Sequence, residues 1–463
     1  MNHYLPISRS KNGISKWLDG TKGKNILILV HILLGMTITK HDSITQYWGL
    51  FIIVVGTYQI IKTRNKSGLA HLFCVYIMSL EVFLRMTKSH LFWEFGKYSS
   101  IYFLVIGLLH QKTFKKRSGL FLFYFYALIP AIFLTDAAIA NHPWRQLVSE
   151  NLSGPASLVI SSIYFYRRPF SYSDFSKLCY FMLLPLITTV FYLFKNLTLL
   201  SNINFTVDSN FQLSAGFGPN QISTALGFGI CIIFSIKLLR TRVLPYSILE
   251  WGISAMFLIF AFLTFSRGGV VSSLVTCIFG LILFQFGHRK KKIFYQIFFT
   301  SIIIIGVIYQ ISISLNTFTQ GFLEKRYSIQ SENKKKDLFT GRGTLLKLEK
   351  EIFFDHWLFG VGVGMNPITR RQYGMTKKVA SHTEYSRLLS EHGIFGLISL
   401  FIMLYIPLTF FPKIKTTQSR IIFVIFMSYS LITIAHSAMR LALPGIIYGI
   451  AFISLYKKDS HEL

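Results

Sequence analysis

Apolar segments long enough to cross a bilayer follow one another along most of the chain, separated by short polar stretches. A helix of roughly 20 apolar residues crosses the hydrocarbon core of a bilayer. The pattern therefore predicts an all-α, polytopic membrane helix bundle of about 12–14 transmembrane helices with one large helical extracytoplasmic loop. About fourteen apolar segments lie near residues 25–39, 47–61, 69–86, 100–110, 119–134, 156–166, 178–194, 222–236, 248–264, 270–286, 293–315, 394–411, 421–435 and 441–456.

The longest polar interval, residues 316–392, divides the chain. Inside it, residues 343–354 place apolar side chains at a roughly helical spacing, which predicts an amphipathic helix on the membrane surface or on the bundle. The predicted parts are a cytoplasmic N-terminal segment 1–24, a transmembrane bundle 25–315 of about eleven spans, a large outer loop 316–392, C-terminal transmembrane helices 393–456 and a cytoplasmic tail 457–463.

The formal net charge of +29 changes the picture only in what it says about topology. With 52% hydrophobic and 14% charged residues, a soluble protein is excluded. Basic clusters occupy alternate short loops, as the positive-inside rule predicts, so both termini are expected in the cytoplasm and the large loop outside. This distribution argues against nucleic-acid binding. The clusters are Lys62–Lys66, Lys112–Arg117, Arg167–Arg168, Lys237–Arg242, Arg289–Lys292, Lys413–Arg420 and Lys457–Lys458.

Cofactor and metal signatures do not stand out in the sequence. The four cysteines lie in apolar segments without a CxxC spacing, which favours neither disulfides nor a metal site. The Gly-rich stretch Phe359–Pro367 has neither the spacing nor the strand–helix context of a nucleotide-binding loop, so we expect a tight turn packed closely on the membrane domain. The polar, basic first 24 residues do not resemble a cleavable signal peptide.

Two arginines are candidates for binding phosphate. Arg267 lies between two apolar runs with almost no loop, at the predicted outer mouth of the bundle and at the N-terminus of the next helix. An arginine there can form bidentate hydrogen bonds to phosphate oxygens, and the positive end of the helix dipole favours an anion. The alternative is an arginine that reaches lipid head groups. Arg342 is a second candidate clamp, with an ordinary surface charge as its alternative.

The stretch after residue 380 holds a candidate proton acceptor. Ser381 and Glu384 match the S-x-x-E capping box, which places His382 at the first helical position and keeps its imidazole neutral. A neutral imidazole accepts a proton near pH 7, although an exposed histidine without a role and a Glu384 that only caps the helix are the plainer interpretations.

Other polar residues have structural roles as their more ordinary interpretation. Asn220 and Arg440 are further candidates on the same side, for which that interpretation is favoured. Glu81 and Arg85, four apart on one helix, are expected to pair inside the bundle.

Three patches, in order, give the chain its resemblance to the O-antigen ligase and O-antigen polymerase superfamily. They are an Arg-Gly pair closing an outward hairpin (Ser266–Gly269), a Gly-Arg before a surface helix and a GxGxG turn (Thr340–Gly364), and a His-polar-Glu-Tyr helix ending in Glu-x-Gly-x-x-Gly (His382–Gly396). The asparagine frequent in the family after the histidine is Thr383 here.

The resemblance implies a glycosyltransferase at the periplasmic face of a bacterial inner membrane, working without a metal or nucleotide cofactor. Its donor would be a glycan on undecaprenyl diphosphate, and its acceptor a glycan or a lipid A core, with membrane lipids around both. Arg267 and Arg342 would bind the diphosphate, and His382 would activate or position the acceptor. The candidate substrate-binding residues are Glu384, Tyr385, Asn220 and Arg440.

The sequence leaves the exact role open. A ligase is slightly favoured over a polymerase that joins lipid-linked repeats, because only the acceptor differs between them. A protein O-oligosaccharyltransferase is a third version. A lipid-linked oligosaccharide flippase is disfavoured, because transport does not need the His/Arg/Glu patch of the outer loop.

Overall fold

The computed structural model describes residues 20–40, 43–66, 68–110, 119–200, 203, 205–206, 208–287, 306–328, 342–375 and 379–457, without the side chain of Arg342. Several predictions fall outside the described residues. They concern most of the N-terminal segment 1–24, the first part of segment 293–315, the clusters Lys112–Arg117 and Arg289–Lys292, Gly341, and the end of the tail.

The described chain is helical almost throughout, which confirms the all-α prediction. The first ten helices are α1 Thr21–Thr37, α2 Ser43–Thr63, α3 Leu69–Met86, α4 Phe95–Leu109, α5 Gly119–Tyr126, α6 Ala137–Ala140, α7 Trp144–Phe165, α8 Tyr172–Leu199, α9 Pro219–Leu238 and α10 Ser247–Leu263. The others are α11 Arg267–Gly287, α12 306–318, α13 Phe322–Tyr327, α14 Arg342–Asp355, α15 Asn366–Gln372, α16 Glu384–Phe410, α17 Thr417–Ser437 and α18 Ala442–Ile450.

Short elements complete the chain: 3₁₀ turns at Pro130–Leu134 and Phe411–Lys413, and two three-residue strands. The strands, β1 Pro169–Ser171 and β2 Ser454–Tyr456, pair in parallel with Phe170 opposite Leu455.

Seven of the described helices are long and apolar enough to cross a membrane, and three shorter apolar helices accompany them. Every predicted apolar segment overlaps a described helix, the segment 293–315 only from residue 306 onward. Sequence hydropathy therefore located helices correctly, because a run of apolar residues is a local property, whereas the number of membrane spans stays a prediction.

Burial separates central helices from peripheral ones. The apolar window of α3 is 89% buried inside the protein, whereas that of α2 is 28% buried. The exposed face of α2 is an apolar stripe at helical spacing, the face that meets lipid tails in a bilayer. Its residues are Ile44, Tyr47, Phe51, Val54, Tyr58 and Ile61.

Helices α9 and α11 approach closely through small residues. The Gly269 amide donates to Ser223 Oγ at 3.0 Å, and Ser223 Oγ donates to the Ser266 carbonyl at 3.0 Å. A Cβ on Gly269 would overlap the backbone of Ser223, so only glycine allows this approach. The contact fixes the first turn of α11, which begins with Arg267, against the first turn of α9.

The Gly-rich turn packs on the membrane domain, as predicted. Gly360, Gly362 and Gly364 all have positive φ, and a Cβ on Gly362 would lie 2.6 Å from the Leu134 carbonyl oxygen. The amides of this turn donate to the carbonyls of Ser390, Glu391 and Ala131 at 3.0–3.3 Å. The turn thereby joins α16 to the end of the segment that follows α5.

Helix α16 is broken at Gly393, whose φ of 57° and ψ of −134° are non-helical. The break separates a polar part, residues 384–392, from an apolar part that continues to Phe410. The Ile394 amide donates instead to the Trp357 carbonyl at 2.7 Å. The polar part is thus held at a fixed angle above the apolar span, where its side chains meet those of α7 and α14.

Candidate active site: a cationic mouth beside a polar cavity

Two arginines come together at the start of α11. Arg267 is the first residue of that helix, as predicted, and is partly exposed. Arg326, on the short helix α13, donates from Nε to the Phe265 carbonyl at 3.0 Å. Burial and the neighbouring Arg267 guanidinium lower the pKa of Arg326, and Asp208 offsets this in part. We call Arg267, Arg326 and their surroundings the cationic mouth.

Polar side chains from α9 and α17 surround the first turn of α11. Ser266 Oγ donates to Asn220 Oδ1 at 3.2 Å, and Asn220 Nδ2 donates to the His436 carbonyl at 3.2 Å. The His436 ring lies against the same turn, with Nε2 2.9 Å from Ser272 Oγ. A Cβ on Gly268 would lie 2.6 Å from His436 Nδ1. The candidate Asn220 therefore lies in the cationic mouth, and His436 joins it there.

The segment 436–442, from the end of α17 to the start of α18, links the mouth to the rest of the site, and we call it the strap. Its amides bond two buried carboxylates: Met439 N–H donates to Glu384 at 3.2 Å, and Ala442 N–H donates to Glu81 at 2.7 Å. Carboxylates that bond backbone amides hold a non-helical segment in place. The strap is therefore positioned from both α16 and α3.

The candidate Arg440 lies in the strap and reaches the other candidate segment. Its Nη2 donates to the carbonyls of Ser381 at 2.8 Å and Ala380 at 3.2 Å. Arg85 donates in turn to the Arg440 carbonyl at 3.1 Å. The residues just before His382 are thus tied to the strap, and through it to the cationic mouth.

A cavity of about 470 Å³ lies on the other side of the strap. Four basic and four acidic side chains line it, together with amides and one tryptophan. The charged residues are Arg85, Lys97, Arg387 and Arg440 with Glu94, Glu150, Glu384 and Glu391, and the main uncharged polar ones are His142, Gln146, Asn151, Gln221 and Ser381 beside Trp93.

The floor of the cavity is a buried ion-pair network on α16. Arg387 lies between two carboxylates, bonded to Glu384 and to Glu391 Oε2, the latter at 2.8 Å. It also donates to the side-chain oxygen and the carbonyl of Asn151 at 3.3 and 3.1 Å. Its three guanidinium nitrogens all donate to oxygen atoms of the protein. The positive charge of Arg387 is therefore balanced by neighbouring carboxylates.

A second buried network closes the cavity from α3 and α4. Arg85 bonds Glu81 at 2.7 Å, which confirms the predicted pair, and lies 3.6 Å from Glu94. Glu94 accepts from Lys97 at 2.8 Å. These four side chains are 6% exposed or less, so their charges are balanced inside the protein rather than by solvent.

The helix predicted over 156–166 begins twelve residues earlier, at Trp144, so part of the interval between the predicted segments 119–134 and 156–166 is helical. The polar residues Gln146, Glu150 and Asn151 in this added part line the cavity. Polar side chains that face a cavity lower the hydropathy of a helix to that of a loop. The start of this helix was therefore predicted too late.

The predicted capping box is wrong. Helix α16 begins at Glu384 with Thr383 as its N-cap, whose side chain accepts from the Tyr385 amide at 3.2 Å. His382 therefore precedes the helix and does not occupy its first position. Ser381 donates to Glu349 at 2.6 Å instead of capping, and Glu384 is taken up by Arg387 and the strap.

Glu349 joins the helix that begins with Arg342 to the segment of His382. Its buried carboxylate accepts from Arg370, Ser381 and Ser386. It lies seven residues after Arg342, about two turns further along α14. The buried face of α14, with Leu345, Glu349 and Ile352, confirms the predicted amphipathic helix.

The sequence candidates thus separate into groups. Asn220 and Arg267 share the mouth, and Arg440 and Glu384 line the cavity, whereas the Tyr385 hydroxyl donates to the Leu431 carbonyl at 3.0 Å. His382 lies beside Ser381, which lines the cavity. The side chain of Arg342 is outside the described part.

Sequence reasoning missed Arg326, His436, Arg387 and Glu391. The spacing of Glu384, Arg387 and Glu391, at i, i+3 and i+7, could have indicated the ion-pair face of α16. Arg326 and His436 have no comparable local signal.

Among the residues that the structure describes, no group of three or more His, Cys, Asp or Glu side chains is placed to hold a metal ion. The expectation of a reaction without metal stays a prediction.

A family model described as O-antigen ligase matches residues 252–401, and this confirms the resemblance to that superfamily. The matched region contains Arg267, Arg342 and His382, whereas Asn220 and the strap lie outside it. No curated protein matches the chain. The apolar helices and this match together indicate a multi-pass bacterial membrane protein in which residues 252–401 are similar to the O-antigen ligase family.

Proposed function

We propose that this protein, which contains a region similar to the O-antigen ligase family, transfers a glycan from undecaprenyl diphosphate to an acceptor hydroxyl at the periplasmic face of the bacterial inner membrane. The observation that supports this most is that Arg326, bonded to the Phe265 carbonyl, lies beside Arg267, and that a polar cavity of about 470 Å³ is close by. A lipid-linked sugar diphosphate needs both an anion site and room for the sugar.

The cationic mouth suits a diphosphate. Burial and, after it, the neighbouring Arg267 lower the pKa of Arg326, and an anion between the two guanidinium groups removes their mutual repulsion. The first turn of α11 adds the positive end of the helix dipole, which favours an anion. Arg342, at the start of α14, is a third cation for the same diphosphate in this proposal.

The transfer itself is a substitution at the anomeric carbon. The acceptor oxygen forms a bond to that carbon, the bond from the carbon to the diphosphate oxygen breaks, and its electron pair leaves with the diphosphate. His382 takes the proton of the acceptor hydroxyl. Negative charge on the diphosphate rises as the bond breaks, so Arg267 and Arg326 stabilise the transition state more than the bound donor.

The other candidate residues have structural roles of two kinds. Asn220 positions the first turn of α11 through Ser266 and the His436 carbonyl. Glu384 and Arg440 hold the strap and the His382 segment relative to the cavity. Tyr385 packs α16 against α17 through Leu431, and we propose no substrate contact for it.

Substitution of Arg267 and His382 tests the proposal. Arg267→Ala and His382→Ala are expected to abolish transfer in membranes while the protein still inserts and accumulates, measured with lipid-linked donor and by immunoblot. Arg371→Ala and His356→Ala are the matched controls, because both side chains are exposed in the polar region and neither lines the cavity. Full transfer by both site variants would show that the assigned site is wrong.

The glycan profile of a deletion strain separates ligase from polymerase. A ligase deletion leaves long lipid-linked polymer that is not attached to its acceptor, and this is the outcome we expect. Single repeat units on the carrier or on the acceptor would assign the polymerase role instead.

A further inference from the structure

We propose that the cavity beside the strap is a saccharide subsite, which binds the glycan of one substrate while the cationic mouth binds the lipid diphosphate. This inference rests on the proposed function and adds where the sugar lies and which residues select it. Its first basis is charge: the four cations and four carboxylates of the lining cancel. A cavity whose lining charges cancel does not attract a diphosphate anion. It suits a neutral polyhydroxyl ligand, which needs hydrogen-bond donors and acceptors but no net charge.

The second basis is the chemistry of the lining. Amides of Gln146, Asn151 and Gln221 offer both donors and acceptors to hydroxyl groups, and paired carboxylates retain free lone pairs. Trp93 lines the same cavity, is 49% exposed, and is held by the Arg85 guanidinium 4.7 Å from its ring centroid. A fixed aromatic ring packs against the C–H face of a pyranose while polar groups bond its hydroxyls.

The third basis is position. Asn220 belongs to the mouth and the next residue, Gln221, lines the cavity. His436 belongs to the mouth, while Ala438, Met439 and Arg440 line the cavity. The strap is therefore the common wall of both subsites. A diphosphate in the mouth would place its attached sugar, or the acceptor sugar that attacks it, within the cavity, and a volume of about 470 Å³ is within the ordinary range of ligand cavities.

Variants at the rim of the cavity test the inference in the purified full-length protein. Trp93→Ala removes the aromatic ring, and Gln146→Ala removes an exposed amide whose described partner is Glu150. The matched control is Trp144→Ala, since Trp144 is 47% exposed on α7 and does not line the cavity. Two quantities are measured for each variant: the affinity for undecaprenyl diphosphate without sugar, and the KM values for glycosylated donor and for acceptor.

Each cavity variant is expected to raise one KM about tenfold, the loss of one well-packed aromatic or hydrogen-bonded contact, and to leave undecaprenyl diphosphate affinity unchanged. A rise in donor KM alone assigns the cavity to the donor glycan, and a rise in acceptor KM alone assigns it to the acceptor glycan. Added salt should weaken undecaprenyl diphosphate binding and leave the KM ratios between variant and wild type unchanged.

Unchanged KM values in both cavity variants, or an equal loss in Trp144→Ala, would overturn the subsite assignment and leave the proposed function standing. Weaker undecaprenyl diphosphate binding in the cavity variants would instead assign the cavity to the diphosphate. A wild-type protein that does not bind undecaprenyl diphosphate at all would refute the proposed function itself, whatever the cavity variants do.

Discussion

The cationic mouth and the cavity floor both contain arginines, but the two regions treat positive charge in opposite ways. In the mouth, Arg326 lies beside another arginine, and Asp208 offsets the repulsion only in part. On the floor, Arg387 lies between Glu384 and Glu391 and bonds Asn151 as well. The floor is complete without a ligand, whereas the mouth gains stability when an anion enters. Charge balance, rather than residue type, distinguishes a structural arginine from a ligand-binding one.

Removal of the floor arginine should give the largest effect. Arg387→Gln leaves two carboxylates buried without their cation, and an uncompensated buried charge costs about 3–5 kcal/mol. We expect a large fall in the thermal unfolding midpoint of the purified protein in detergent. The triple variant with Glu384→Gln and Glu391→Gln should recover part of that loss, because no buried charge is left unpaired. A thermal midpoint equal to wild type for Arg387→Gln would show that this arginine is not needed to balance the two buried carboxylates.

Removal of a mouth arginine should reduce binding instead of stability. Arg326→Gln is expected to lower the affinity for undecaprenyl diphosphate by about 1.5–3 kcal/mol, the range for hydrogen bonds to charged groups. Its thermal midpoint should change little, because the loss of the bond to the Phe265 carbonyl and the relief of the repulsion with Arg267 act in opposite directions. Lys325→Gln, an exposed neighbour on the same helix, is the control and should change neither quantity. A destabilised protein with normal affinity would reverse the assignment of the two regions.

The close approach of α9 and α11 offers a test of how the mouth is positioned. Gly269→Ala forces a methyl group into the backbone of Ser223, and overpacking of this kind costs about 1–3 kcal/mol. We expect a lower midpoint together with weaker diphosphate binding, since Arg267 moves with the first turn of α11. Gly252→Ala, which meets open space on α10, is the matched control. Wild-type binding by Gly269→Ala would show that the mouth does not depend on this contact.

The parts of this molecule that the sequence predicted are those set by local chain properties. The spans follow from runs of apolar residues, the Glu81–Arg85 pair from a four-residue spacing, and the tight turn at 359–367 from its glycines. The start of α11 at Arg267 follows from the near absence of a loop before it. In each of these cases the interacting groups are close in sequence, so the pattern alone contains the information.

The errors and omissions arise where distant segments meet. Ser381 and Glu384 match a capping box, but Glu349 and Arg387 bind them more strongly than the helix end does. Arg326 lies 61 residues after the Phe265 carbonyl that it bonds, and His436 lies 164 residues after Ser272. A periodic pattern within one segment contains no information about such contacts. Composition can also mislead, because the polar residues at the start of α7 face the cavity and not a solvated loop.

The smallest expected effect concerns the boundary between His382 and the cavity floor. Thr383 caps α16, and replacement of a capping threonine by alanine costs about 1 kcal/mol. Thr383→Ala should therefore lower the thermal midpoint slightly and reduce transfer only in part. The helix start next to His382 becomes less well fixed, while the Arg387 network still holds the rest of the helix. Thr383→Asn should retain both, since asparagine caps as well as threonine. A complete loss of transfer in Thr383→Ala at normal stability would mean that the hydroxyl contacts substrate, and the cap would then be the lesser of its two roles.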